Sequence, residues 1–152
     1  MVKIMATGTF DILHMGHIYF LKEAKKLGDE LIVIVACDST VRKLKHEPVT
    51  HEKMRLQLIK ELKIVDDAFL GQKDDIYKIV EEIKPDVIAL GYDQIHDEKI
   101  IRQNLKKRNV NAKIVRLPKY RNIEDLNGTR KIINKIISAY EFQKKMEKIE
   151  RK

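Results

Sequence analysis

The stretch Thr7-Gly8-Thr9-Phe10-Asp11-Ile12-Leu13-His14-Met15-Gly16-His17 decides the fold, because it joins two segments of different hydrophobic period. Ahead of it Val2, Ile4 and Met5 form a short apolar run of strand character. Behind it Ile18, Leu21, Ala24 and Leu27 recur at helical spacing, with Lys22, Lys25 and Lys26 between them. The two histidines therefore stand at a strand-to-helix turn. The first backbone N–H groups of a helix have no internal partner, and the helix dipole adds partial positive charge, so a phosphate placed there meets donors already aimed at it. His14 and His17, three residues apart, project from one side of that helix start within reach of a common anion. Gly16 removes a side chain that would keep a ligand from the backbone, and Gly8 is expected to do the same on the strand side.

A zinc site is disfavoured, since Cys37 is the sole cysteine and no His-Glu-x-x-His helix is present. Helix capping without chemistry would suit a lone pair of histidines, but Gly8-Thr9-Phe10-Asp11 directly upstream argues for more. Phe10 itself reads as core packing with no catalytic role.

With 152 residues and 43% hydrophobic content the chain suits one α/β domain with a sizeable core. We divide it into a main domain over 1–138 and a charged helical extension or tail over 139–152. One cysteine rules out an internal disulfide framework. The lack of a long apolar run and of a signal-peptide pattern predicts a cytoplasmic protein with no membrane partner. The 31 basic residues against 23 acidic ones give a net charge of +8, which favours anionic ligands. The basic residues are spread through every helical segment and no aromatic-rich RNA-binding motif is visible. A nucleotide-sized ligand therefore accounts for the charge as well as nucleic acid does.

Further along, Glu30–Ala36 is a nearly continuous branched apolar run, as in a central parallel strand buried on both faces. Cys37-Asp38-Ser39-Thr40 turns the chain at its carboxyl end, where open α/β sheets bind ligands. Arg42–Pro48 is a basic loop from which Lys45, or else Lys43, can swing over phosphates. Thr50 caps the next helix, whose apolar face is Met54, Leu58, Leu62 and Ile59, leaving Arg55 near its start. Val65–Leu70 reads as a third strand and Asp74 as the cap of a helix ended by Pro85. Asp86–Leu90 is a fourth strand, followed by Gly91-Tyr92-Asp93-Gln94. There Gly91 permits close backbone approach, while Asp93 and Gln94 supply an acceptor and a two-sided amide suited either to a nucleobase edge or to capping. Asp97–Arg108 is helical, and Ala112–Leu117 is a polar edge strand. Asn127, Gly128 and Thr129 open a last helix, a second phosphate-binding end. Phe142, Met146 and Ile149 then form a thin apolar stripe, the mark of a frayed tail or of a contact with another subunit. Strands alternating with helices make a Rossmann-like doubly wound parallel sheet of about five strands, helices on both faces.

Gly8-Thr9-Phe10-Asp11 followed by His14-Met15-Gly16-His17 resembles the signature of the cytidylyltransferase-like nucleotidyltransferases. The resemblance implies transfer of a nucleotidyl group from a nucleoside triphosphate, ATP or CTP, to a phosphorylated acceptor with release of pyrophosphate. It implies catalytic roles for His14, His17, Lys45 and Arg55, with Arg130 adding charge. It further implies nucleotide binding by Thr9, Phe10, Asp11, Gly16, Gly91, Asp93, Gln94, Gly128 and Thr129 beside the two histidines. Mg²⁺ or another divalent cation would arrive with the triphosphate, without direct side-chain ligation, Asp11 assisting through water. Gly91-Tyr92-Asp93-Gln94 is most similar to the loop of archaeal adenylyltransferases acting on FMN. Glycerol 3-phosphate cytidylyltransferases and phosphopantetheine adenylyltransferases are the alternatives, and a nucleotide- or RNA-binding module is the non-enzymatic one. Dimerisation is common in the resembling family, and a homodimer is expected on that ground.

Overall fold

In the computed structural model, which describes residues 1–44, 46–121 and 126–151, the chain alternates strands and helices from end to end. β1 (Lys3–Gly8) leads to α1 (Met15–Lys25), and β2 (Glu30–Val35) to α2 (Asp38–Leu44) and α3 (Glu52–Lys60). β3 (Asp67–Leu70) precedes α4 (Lys78–Ile83), β4 (Val87–Leu90) precedes α5 (Glu98–Lys107), and β5 (Lys113–Arg116) precedes α6 (Thr129–Glu150). All strand pairs are parallel, in the order β3-β2-β1-β4-β5.

That order follows from where the apolar residues lie. β1 and β2 are buried on both faces, so each must be central: Ile4, Ala6, Leu31 and Val33 pack into one core with Leu21 and Ala24 of α1 and Ile59 of α3. Met5, Ile32 and Ile34 point the other way, toward Ile79 and Val80 of α4 and Ile101 and Leu105 of α5. The result is a three-layer doubly wound α/β domain. From β1 the chain winds outward through β2 and β3, then returns to place β4 on the other side of β1. The carboxyl ends of β1 and β4 thus flank a switch point, where such sheets open a crevice.

Several local expectations change. The segment after Cys37 is a short helix rather than a turn leading into a loop. α3 is capped by His51, whose Nδ1 accepts from the Lys53 N–H, while Thr50 bonds elsewhere. The buried face of α3 is Arg55 and Ile59, and Met54 is 55% exposed. α4 starts at Lys78, preceded by a turn in which Asp75, rather than Asp74, accepts from the Tyr77 N–H. α6 runs unbroken through the boundary drawn at 138 and buries no residue, leaving Ile136, Tyr140 and Phe142 exposed. Among the described residues no helix is long and apolar enough to cross a membrane.

Candidate active site

The turn after β1 is held in an unusual backbone conformation. Phe10 (φ 54°) and Ile12 (φ 48°) both lie in the left-handed region, which carries a steric penalty of about 1–2 kcal/mol for each L-residue. Something must hold them there. Asp11, only 3% exposed, accepts from the Val49 N–H (2.7 Å), the Thr50 N–H (2.9 Å) and the Thr50 hydroxyl (2.6 Å). Its own carbonyl accepts from the Thr129 hydroxyl at the start of α6 (2.7 Å). Burial pushes the Asp11 carboxyl up, but the Thr50 hydroxyl, the two backbone donors and the Arg55 charge outweigh it, so it sits below the usual range.

Arg55 completes the brace. It is wholly buried, and its guanidinium donates to the carbonyls of Thr9 (2.6 Å), Ala36 (2.8 Å) and Thr50 (3.0 Å) and to the Asp38 carboxylate (2.6 Å). The expected contact of Arg55 with nucleotide phosphates is therefore corrected. The guanidinium ties the ends of β1 and β2 to the start of α3, and it does not line the cavity. Asp11 borders the cavity while its oxygens hold the 49–50 backbone. Gln94, expected to read a base edge, also borders it, and its amide accepts from the Gly91 N–H (3.2 Å) and donates to the Thr7 carbonyl (2.6 Å).

On this brace stand the histidines. His14 is the N-cap of α1, and its Nδ1 accepts from the Gly16 N–H at 3.1 Å. That bond assigns the neutral ring's proton to Nε2, leaving Nε2–H as a donor. Burial pulls the His14 pKa below its usual value, against the opposing charge of Asp93. The His17 ring stacks on that of His14, centroids 3.7 Å apart, with the Phe10 ring edge-on to His17 at 5.4 Å. The two glycines border the cavity and also make room for protein atoms. A Cβ on Gly16 would lie 2.6 Å from the Asn127 carbonyl oxygen and 2.9 Å from the His14 ring, and one on Gly8 would lie 2.8 Å from the Phe10 ring. Both admit protein atoms: they let the turn and the start of α6 close on the helix that carries the histidines.

A cavity of about 650 Å³ opens at the switch point. The Thr9-Phe10-Asp11 turn, His14, Gly16 and His17, the Gly91 loop with Asp93 and Gln94, and the Gly128-Thr129 start of α6 all border it, as does Arg130. Lys45 lies outside the described residues. His46, Tyr92, Lys119, Tyr120 and Lys131 also line the cavity and were not anticipated. Of these, Tyr92 falls within the Gly91–Gln94 stretch and His46 within the basic Arg42–Pro48 stretch singled out above, and Lys131 stands two residues past the helix start at Thr129. Cys37 is buried, with Sγ 3.0 Å from the Thr40 hydroxyl and 3.2 Å from that of Ser39. No group of three or more His, Cys, Asp or Glu side chains among the described residues is arranged to hold a metal ion. With Asp11 already engaged, the site does not fit a resident, protein-caged cation.

The cavity thus offers a stacked imidazole pair and the cations Lys119, Arg130 and Lys131, all suited to phosphate oxygens. Comparison with known proteins agrees. A 59% identical protein from Aciduliprofundum boonei, named FAD synthase, matches over 90% of this chain and 91% of its own length. Another FAD synthase, from Methanothermus fervidus, is 56% identical over 87% of this chain and 92% of its own. A solved structure described as the lipopolysaccharide core biosynthesis protein of Thermoplasma volcanium superposes with a TM-score of 0.78 at 55% identity, covering 80% of this chain and 99% of that one. The pantoate-beta-alanine ligase of Francisella tularensis, 22% identical with a TM-score of 0.57, shares the fold alone, over 80% of this chain and 61% of that one. A family model described as Cytidylyltransferase-like matches residues 5–147, and the chain belongs to that family.

Proposed function

We propose that the protein is an FMN adenylyltransferase, joining FMN to the adenylyl group of ATP to form FAD and pyrophosphate. The observation that carries this reading is the stacked His14–His17 pair at the mouth of α1, bordering a cavity at the sheet's switch point. FAD synthase relatives aligned over nearly the whole chain support the choice of substrates.

A phosphate oxygen of FMN attacks the α-phosphorus of ATP in line with the departing group. The new P–O bond forms as the bond from the α-phosphorus to the α,β-bridging oxygen breaks, and pyrophosphate leaves with that electron pair. No covalent intermediate with the protein is needed, so the chain's work is positioning and charge stabilisation. The Nε2–H of His14 donates to a phosphate oxygen, and His17 acts beside it on the same group as negative charge builds. Arg130 at the cavity wall, and Lys45, add positive charge. A divalent cation brought by the triphosphate would neutralise part of its charge. Asp93 and the backbone of the Gly91 loop contact the nucleotide.

The test is pyrophosphate release with Mg²⁺, crossing ATP and CTP against FMN, glycerol 3-phosphate and phosphopantetheine. Release with ATP plus FMN, with FAD identified as product, is expected, and release only with CTP refutes the adenylyl assignment. His14→Ala and His17→Ala should each lower kcat on the order of a hundredfold or more, the usual effect of losing such a donor. Normal turnover by a folded His17→Ala protein removes it from the mechanism.

A further inference from the structure

The segment from Gly91 to His96 belongs to neither helix nor strand, yet its backbone is firmly held. Arg116, the last residue of β5, donates through Nη1 to the carbonyls of Gly91 and Gln94, both at 2.9 Å, and through Nη2 to that of His96 at 3.0 Å. Its Nε donates to Glu98 at the start of α5 (3.3 Å). From the opposite side the Gln94 amide spans the loop's first N–H and the Thr7 carbonyl on β1. One guanidinium therefore gathers three carbonyls outside the sheet ladder, of which that of Gly91 also accepts from the Gln94 N–H (3.3 Å). Its planar fork of donors suits this task, and the single ammonium of a lysine does not.

Tyr92 and Asp93 lie within the clasped span, and both line the cavity, whereas Arg116 does not. Arg116 is thus placed to shape the cavity wall without touching what the cavity holds. We propose that Arg116 is a positioning residue for nucleobase selectivity, fixing the Gly91–His96 loop so that Tyr92 and Asp93 keep constant places against the base. This inference rests on the ATP-using reading above. Without the guanidinium the three carbonyls turn to water and the loop spreads over several shapes. A ligand must then reselect the competent one, which weakens its apparent affinity.

The test is calorimetric binding of a non-hydrolysable ATP analogue and its CTP counterpart to wild type, Arg116→Ala and Arg116→Lys, with Tm and steady-state kinetics alongside. For Arg116→Ala we expect ATP-analogue binding to weaken about tenfold, about 1.4 kcal/mol. The CTP analogue should lose less, so selectivity falls, and the KM for ATP should rise while kcat stays within about threefold. Arg116→Lys should recover only part of this, and added ethylguanidinium should restore selectivity to Arg116→Ala. Unchanged selectivity in the folded variant overturns the proposal. So does a parallel loss for both nucleotides that tracks a fall in Tm, the behaviour of a merely structural arginine. Should Arg116→Ala not fold, Arg116→Lys is read by the same criteria. A wild type that binds the CTP analogue better refutes the ATP reading instead, and Arg116 is then judged by whether its replacement changes that preference.

Discussion

Replacing Arg55 with alanine leaves the Asp38 carboxylate, whose side chain is 10% exposed, without its cation, and strips donors from the carbonyls of Thr9, Ala36 and Thr50. At 2.6 Å the gross attraction of the pair is on the order of 6 kcal/mol at an effective dielectric of about 20, before desolvation is subtracted. Breaking a buried pair by removing one partner destabilises proteins by about 3–5 kcal/mol. For a chain of this size about 1 kcal/mol moves Tm by roughly 2–4 °C, so Arg55→Ala should unfold roughly 10 °C lower by scanning calorimetry. Arg55→Lys should not rescue it, because one ammonium cannot reach acceptors spread over three backbone segments. In whatever folds, kcat should fall through misplacement of the turn while the KM for ATP changes little. A Tm within about 1 °C of wild type, as for surface substitutions, combined with a raised KM for ATP would refute the brace and return Arg55 to the phosphates.

Three further outcomes are expected. In the free protein His14 titrates below its ordinary value because of burial, opposed by the charge of Asp93, so the acid limb of the kcat/KM profile should lie below about pH 6.5. Asp93→Asn should move that limb lower still, which a pH–rate series reads directly. Gly16→Ala puts a methyl 2.6 Å from the Asn127 carbonyl and should lower kcat on the order of a hundredfold, with a measurable drop in Tm, by pushing α1 away from α6. For Asp11 and Asp38 burial raises the pKa, but their hydrogen bonds and the Arg55 charge depress it further. Their contribution to stability is therefore whole above the ordinary carboxylate range of about 4 and is lost as pH falls through the lower folded values. Asp38→Asn should be less stable than wild type at pH 7 but lose less on acidification, as thermal melts between pH 2 and pH 7 will show.

The sheet was legible because its determinants are local. Glu30–Val35 is apolar throughout, and only a strand covered on both faces can use such a run. The helices carrying Leu21 and Ala24, or Ile101 and Leu105, show their buried positions by spacing alone. α3 defeated that reasoning, since its most buried side chain is an arginine and periodicity counts arginine as solvent-facing. That His14, His17 and the Gly91 loop would border one cavity was legible through residue type and position at strand ends. Which of the surrounding polar groups face ligand depended on nonlocal partners. Asp11 pairs with Thr50 across 39 residues and the Gln94 amide reaches the Thr7 carbonyl across 87, pairings that no window along the chain contains. The left-handed Ile12 was equally invisible, for a β-branched residue gives no hint that tertiary contacts will hold it there.

The central position of β1 also bears on how the chain is made. Its first neighbour, β2, follows within thirty residues, but its other edge stays open until β4 is synthesised, with Ile4 pairing to Val87. The Thr129 hydroxyl reaches the Asp11 carbonyl across 118 residues, so that tether forms only once the final helix has begun. Contacts this distant along the chain form late, because loop closure must precede the gain from pairing. During synthesis β1, β2 and β3 can assemble as an early unit, while the Phe10–Ile12 turn lacks its last restraint. The turn after β1 is thus among the last parts of the domain to be fully restrained, long after its own residues have been made.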